Sequence, residues 1–284
     1  MARKPAAAKK PAKKPAATKT GKYEYILAAK RKGALEITFN RPDKLNALNE
    51  PMAGEIMDAM ASVENDRKIL CVILQGDERA FCAGADLSGF SDKPAERYDN
   101  YRARYNTRKN RLLFHYVQAF TKPVISAVEG YCLGGGFELA MFGDIIIAGE
   151  AAQFGLPEGR HSLIPGAGGT QNLPRIIGAA LAKELIWTAR RIGAEEALGL
   201  RIVNHVTPKG KALAKAREIV EQMMKIGPLS IMMSKQSIDR GLDMSLAQGF
   251  QQEADLSYLL TWSEDRKEGL TAFAERRPAK FKGQ

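Results

Sequence analysis

Three short apolar runs, at residues 69–74, 123–128 and 144–148, recur between segments of helical periodicity. The first, Ile-Leu-Cys-Val-Ile-Leu, is apolar without alternation, the pattern of a strand buried on both faces. Residues 26–29 and 34–39 read as a hairpin turning near Lys32-Gly33, and residues 153–155 as a further short strand. A helix is expected over 51–63, where Met52, Ile56, Met57 and Met60 fall at helical spacing behind Pro51. Two more are expected over 95–119 and 134–142, while residues 80–86 read as a loop. Strands alternating with helices predict an α/β fold with crossover connections. From Gly178 onward the chain is mostly helical, with segments at 179–189, 208–226, 243–261 and 265–275. A short helix at 194–200 leads into a strand at 202–206. The helical C-terminal third reads as a subdomain or an oligomer interface.

The charge is unevenly placed. The chain of 284 residues carries +11, yet residues 1–22 hold eight Lys or Arg and no acid. Taking those eight from 43 leaves 35 basic against 32 acidic residues, so the rest of the chain carries only +3. A nucleic-acid-binding face is therefore not written into the body's total charge. The first segment is Ala, Lys and Pro with little else, and Pro5, Pro11 and Pro15 interrupt any helix. It is expected to be a disordered, solvated tail, with a nucleic-acid arm as the competing reading. It lacks the apolar stretch of a secretory signal, and no apolar run approaches a membrane span. Hydrophobic residues at 45% suffice for a sizeable core in one large or two small domains. Cys71, Cys82 and Cys132 are odd in number, which argues against a disulfide framework and for a reducing, cytoplasmic compartment. There is no CxxC or HExxH pattern, and His115, His161 and His205 are far apart, so a zinc site has little support.

Two glutamates, each beside a glycine-rich stretch, are the candidates for chemistry. Glu138 ends Tyr-Cys-Leu-Gly-Gly-Gly-Phe-Glu, and Glu158 lies in Phe-Gly-Leu-Pro-Glu-Gly, ahead of Ile-Pro-Gly-Ala-Gly-Gly at 164–169. Two carboxyl groups divide acid and base work if their environments push their pKa values apart. Gly134-Gly135-Gly136 at a helix start could hold an oxyanion on backbone N–H groups, or could serve close strand–helix packing; both readings stand. The small residues of Phe-Cys-Ala-Gly-Ala-Asp-Leu at 81–87 could supply a second N–H, or form an ordinary tight turn. Pro157 stiffens the approach to Glu158. A Cys82 or Cys132 nucleophile paired with a histidine is the weaker reading, because cysteine is usually a small buried apolar residue. Asp86 and Asp144 read as structural. The 166–169 run is neither GxGxxG nor a P-loop.

Taken together these residues resemble the crotonase, or enoyl-CoA hydratase/isomerase, superfamily over roughly residues 23–284. The likeness is carried by Asn40-Arg41-Pro42 with Asn46-Ala47-Leu48, by 81–87, by Lys122-Pro123-Val124 with Gly130, and by 134–138. It continues through Gln153-Phe154-Gly155, Pro157-Glu158, 164–171, and Glu268-Gly269 with Ala272-Phe273. The resemblance implies an α/β spiral of ββα units over 23–210, after a tail at 1–22, with a helical trimerisation region at 211–284. It implies a homo-oligomer, a trimer or a hexamer built as a dimer of trimers, acting on an acyl-CoA thioester as in fatty-acid β-oxidation. The thioester oxygen would sit on the N–H groups of Ala85 and Gly135. Members with two glutamates at these positions resemble enoyl-CoA hydratases. Glu138 would help activate a water for attack on Cβ, Glu158 would exchange the proton at Cα, and the N–H of Gly166 would help position the water. No metal or redox cofactor is expected, CoA being part of the substrate, and no membrane partner. Arg276, Arg277 and Lys280 resemble basic residues that reach CoA phosphates from a neighbouring subunit. The basic, tyrosine-bearing helix at 97–111 could flank CoA or present a solvated face. Gly159-Arg160-His161-Ser162 departs from the pattern of small or apolar residues, marking either an unusual acyl group or side chains turned to solvent. The competing activities are Δ3,Δ2-enoyl-CoA isomerisation, more distantly thioester hydrolysis, and, of another class, non-specific polyanion or nucleic-acid binding through the tail.

Overall fold

The computed structural model describes residues 22–87 and 112–284. The expectations for residues 1–21 of the tail and for the helix at 97–111 lie outside the described residues.

The hairpin forms as read: β1 (Ile26–Arg31) runs antiparallel to β2 (Gly33–Phe39). Gly33 turns the chain with φ 76°, a left-handed conformation that costs glycine no Cβ clash. Then comes a step that repeats three times. β3 (Ile69–Gln75) is followed by β4 (Ala80–Cys82), β5 (Val124–Val128) by β6 (Tyr131–Leu133), and β7 (Ile145–Gly149) by β8 (Gln153–Gly155). The first member of each pair joins a six-stranded sheet ordered β1-β2-β3-β5-β7-β10, with β10 at His205–Thr207. The second joins a four-stranded sheet ordered β4-β6-β8-β9, with β9 at Ile192–Gly193. Within these sheets β3, β5 and β7 are parallel neighbours, as are β4, β6 and β8. The chain thus winds between two sheets, and the loops leaving β4, β6 and β8 stack beside one another. Those three loops carry Ala85, the glycine triplet and Glu158.

The short strand β4 corrects the loop reading of 80–86, and β6 is a strand that the sequence reading did not assign. Three residues are too few for a period-two pattern, and each strand exists only because its neighbour pairs with it. The strand expected at 202–206 begins later, at His205.

The central strands bury both faces. Val72 and Leu74 of β3 face one core, and Cys71 and Ile73 face another, with Ile125 and Ile147 from β5 and β7. Ala212, Ala216 and Val220 of α7 (Ala212–Met223) close that second core, so this helix packs on the sheet itself. Ahead of it run α1 (Glu50–Ala61), α2 (Leu112–Ala119), α3 (Gly135–Met141), α4 (Gly169–Ile177), α5 (Ala179–Thr188) and α6 (Ala194–Gly199). Lys122 is buried at the entry to β5, and its ammonium donates to the carbonyls of Val63, Asp66 and Ile69 at 2.7–2.8 Å. Burial lowers its pKa, while those carbonyl contacts close the end of the α1–β3 connection.

Beyond α7 the chain makes α8 (Pro228–Gly241), α9 (Leu246–Thr261) and α10 (Glu264–Ala274). α8 was not foreseen as a separate helix. α9 starts on a capping box between Ser245 and Gln248. These helices bury little of themselves: none of α8, Leu256 of α9, and Asp265 and Ala272 of α10. The C-terminus folds back onto α10, where the Asp265 carboxylate accepts from the N–H groups of Lys282 and Gly283 at 2.6 and 2.7 Å.

Candidate active site

The glycine triplet opens α3, and each glycine has its own reason. Gly134 has φ 51° and ψ −129°, a backbone that side chains disfavour. A Cβ on Gly136 would stand 2.2 Å from the carbonyl oxygen of Cys82, so here the need is close packing of α3 on β4. A Cβ on Gly135 would stand 3.6 Å from the backbone nitrogen of Ala85, so the Gly135 position faces Ala85 across a gap. Among the described residues neither the Ala85 nor the Gly135 N–H donates to a backbone oxygen.

Ala85 owes its orientation to Leu48. The Leu48 N–H donates to the Gly84 carbonyl at 2.8 Å, and its carbonyl accepts from the Asp86 N–H at 2.8 Å, a one-residue parallel bridge. In such a bridge the residue between the two bonds turns its own N–H to the opposite side. The Ala85 N–H is thus turned away from Leu48. The motif around Asn46-Ala47-Leu48 therefore works as a clamp on the 84–86 loop. Two backbone N–H groups stabilise charge developing on a carbonyl oxygen when both are aimed at it.

Glu138, in the first turn of α3, is 3% exposed. Its Oε1 accepts from the N–H groups of Ala167 and Gly169, both at 2.8 Å. Gly169 is the first residue of α4, so the carboxylate meets unpaired amides at a helix N-terminus, where negative charge is favoured. A Cβ on Gly169 would stand 3.0 Å from that oxygen and 2.7 Å from Pro165. Sequence reasoning passed over Ala167 and Gly169 because it did not see α4. Pro174 lies inside the helix and reads as a breaker, although the Gly-Gly pair ahead of an apolar Leu173 was the available signal. Gly166, singled out as the water-positioning donor, lies exposed on the turn just before Ala167.

Glu158 sits in a 3₁₀ turn at Pro157–His161, directly after β8. Its Oε1 lies 3.2 Å from where a Cβ of Gly134 would stand, which puts the carboxyl over the triplet. Its Oε2 is buried with no hydrogen-bond partner among the described residues. Burial raises its pKa to about 7, the negative charge of Glu138 adds to the rise, and a backbone hydrogen bond opposes it. The two glutamates are thus close enough to feel one another, and their surroundings differ: the Glu138 carboxyl is buried on two N–H donors, while Glu158 has a buried oxygen without a partner and a pKa raised to about 7.

The remaining candidates separate. All three cysteines are buried, and burial pushes the thiols of Cys71 and Cys82 up to about 12 and that of Cys132 well above its ordinary value. A thiolate nucleophile is therefore not available at any of them. Asp86 pairs with Arg41 at 2.6 Å, and Asp144 accepts from the Val124 N–H and the Lys235 ammonium, so both have structural partners. Arg160 and His161 are exposed, and the Arg160 guanidinium donates to the Ala189 carbonyl at 3.2 Å. Arg277 is tied to Glu268 at 2.6 and 2.9 Å and to Glu275 at 2.6 Å. Arg276 and the Lys280 side chain are exposed. Among the described residues no three His, Cys, Asp or Glu side chains gather as a metal site, and no helix is long and apolar enough to cross a membrane.

The chain is similar to known proteins along most of its length. The family pattern for enoyl-CoA hydratase/isomerase matches residues 29–284. A probable enoyl-CoA hydratase 2, mitochondrial, of Arabidopsis thaliana is 39% identical, aligning over 90% of this chain and 84% of its own. The 2,3-dehydroadipyl-CoA hydratase of Escherichia coli is 36% identical over 91% of this chain and 99% of its own. The crystal structure of an enoyl-CoA hydratase from Bacillus anthracis superposes with a TM-score of 0.86 at 36% identity, covering 92% of this chain and 100% of that one. The expected crotonase fold is the fold of this chain.

Proposed function

The chain belongs to the enoyl-CoA hydratase/isomerase family, and we propose that within it the protein adds water syn across the 2,3 double bond of a trans-2-enoyl-CoA, giving the 3-hydroxyacyl-CoA. The observation that carries this reading is the pair itself: Glu138 held on two N–H donors, and Glu158 with its pKa raised to about 7 beside it. The thioester oxygen binds the N–H groups of Ala85 and Gly135. Glu138 takes a proton as water oxygen attacks Cβ, and negative charge moves through the conjugated system to the thioester oxygen. The two N–H groups stabilise that enolate more than the ground-state carbonyl, which is what lowers the barrier. Glu158 gives its proton to Cα, and the pair then exchanges a proton to reset. Gly166 contributes its N–H to the water, and no metal or redox cofactor enters.

Arg276 and Lys280 fit a role at the CoA phosphates of a neighbouring protomer, since both side chains are exposed on the C-terminal segment. That role goes with a trimer or a dimer of trimers. A cytoplasmic location accords with three free cysteines, and cell fractionation tests it.

The deciding experiment is a coupled assay across short, long and cyclic enoyl-CoA esters, with Glu138→Gln and Glu158→Gln as controls. Each substitution is expected to lower kcat by at least ~100-fold, the low end for general acid–base catalysis. Absence of crotonyl-CoA hydration by the unaltered protein, together with isomerisation that Glu138→Gln leaves intact, would replace hydration by Δ3,Δ2 isomerisation.

A further inference from the structure

The Ala85 N–H is aimed by the Leu48 bridge, and one side chain spans that bridge. The guanidinium of Arg41 donates through Nη1 to the carbonyl of Ala47, on one side of the clamp, and through Nη2 to Asp86 Oδ2 at 2.6 Å, on the other. Ala47 precedes the clamping residue, and Asp86 follows the residue clamped. The two side chains are 12% and 13% exposed, so the pair is largely withdrawn from water. Arg41 is itself held: its N–H donates to Asn46 Oδ1 at 2.9 Å, and its carbonyl accepts from the Asn46 N–H at 2.9 Å. Asn46 is fully buried with φ 57°, a conformation asparagine tolerates better than most residues, and its Nδ2 donates to the Ala80 carbonyl at 2.8 Å. The guanidinium also lies 5.7 Å from the ring centre of Tyr25.

We propose that Arg41 and Asp86 are positioning residues for the oxyanion hole, a planar staple across the Leu48–Ala85 bridge that holds the Ala85 N–H on the thioester oxygen. A guanidinium suits this because its two terminal nitrogens diverge in a fixed plane and reach two acceptors at once, which an ammonium on a flexible stem does not. An N–H displaced by a fraction of an ångström loses much of its value to a transition state while still tolerating the ground-state ligand. The staple should therefore act on kcat rather than on KM. This inference rests on the acyl-thioester reading above.

The test compares Asp86→Asn, Arg41→Lys and Arg41→Met in the full-length protein, with two readouts. One is steady-state hydration of crotonyl-CoA. The other is the infrared C=O stretch of bound, carbonyl-labelled butyryl-CoA, a saturated ligand that does not react, whose frequency falls as the oxyanion donors engage. The expected result is a loss of about tenfold or more in kcat with KM within about twofold, the pattern of an interaction that is stronger in the transition state than in the ground state. A smaller downshift of the C=O stretch should accompany it, the acid–base pH profile should stay in place, and Arg41→Lys should fall between wild type and Arg41→Met. If Arg41→Met does not fold, the two milder variants carry the test. Folded variants that keep the full downshift overturn the staple, whether or not kcat falls. A wild-type protein that shows no downshift at all would remove the thioester reading instead, so the two failures are distinguishable.

Discussion

Burial and the charge of Glu138 hold the Glu158 carboxyl at about 7 against an ordinary 4.5, and that displacement has consequences for both stability and rate. An acid whose folded pKa is raised binds its proton more tightly in the folded state than in the unfolded. Stability therefore falls as pH rises from about 4.5 to about 7, and above that the whole penalty of a desolvated charge is in place. Glu158→Gln should raise the thermal midpoint at about pH 8 and leave it nearly unchanged at about pH 4, which differential scanning calorimetry checks. On rate, hydration neither consumes nor releases a proton overall, so the forward and reverse reactions must share one kcat/KM profile. The competent state is the glutamate pair carrying a single proton, and activity should decline in both directions as pH rises through about 7. A profile flat from about pH 6 to about pH 9 would count against the assigned roles. The two carboxylates were legible as residues of interest from the glycines around them. Their division of labour came only with the family resemblance, because the residues by themselves do not say which one meets the α4 amides and which one keeps an unpartnered oxygen.

At the scale of the element, the glycine triplet shows what a one-dimensional reading leaves open. Oxyanion binding and close packing stood as alternatives for all three; the structure shows close packing at Gly136 and places Gly135 beside the Ala85 nitrogen. Gly136→Ala would set a Cβ 2.2 Å from the Cys82 carbonyl oxygen and 2.7 Å from the Cys82 side chain, both on β4 and both rigid. Overpacking of this kind costs about 1–3 kcal/mol or more, read as a lower denaturant midpoint. Gly54 in α1 is the control, since nothing lies within 4 Å of its added Cβ. Gly54→Ala should stabilise by about 0.5–1 kcal/mol through helix propensity alone. The hairpin, α1 and the strands β3, β5 and β7 were legible because each carries its own periodicity or apolar run. β4, β6 and α4 were not: two are strands of three residues, and the third holds Pro174.

At the scale of the whole molecule, the C-terminal helices leave an apolar surface uncovered. Trp262 is 75% exposed and Phe273 85%, with Leu246, Phe250 and Tyr258 exposed on α9 as well. Apolar area of this kind suits an association surface, which the proposed symmetric assembly of protomers requires. Sedimentation of Trp262→Asp and Phe273→Asp should show smaller, concentration-dependent species, whereas an unchanged oligomer would place the interface elsewhere. Arg276→Glu should raise KM for CoA substrates and leave kcat nearly unaltered, as expected for lost ground-state binding. By itself the sequence determined the strand–helix alternation, the separation of a Lys-rich tail from a nearly neutral body, and the identity of the catalytic candidates, because composition and periodicity are local. Only the tertiary structure decided that the loops after β4, β6 and β8 lie side by side, that Leu48 bridges Ala85 close to Gly135, and that Glu138 meets two N–H donors while an oxygen of Glu158 is buried without a partner. Those outcomes depend on contacts between residues far apart in the chain, and no window along the sequence contains both partners.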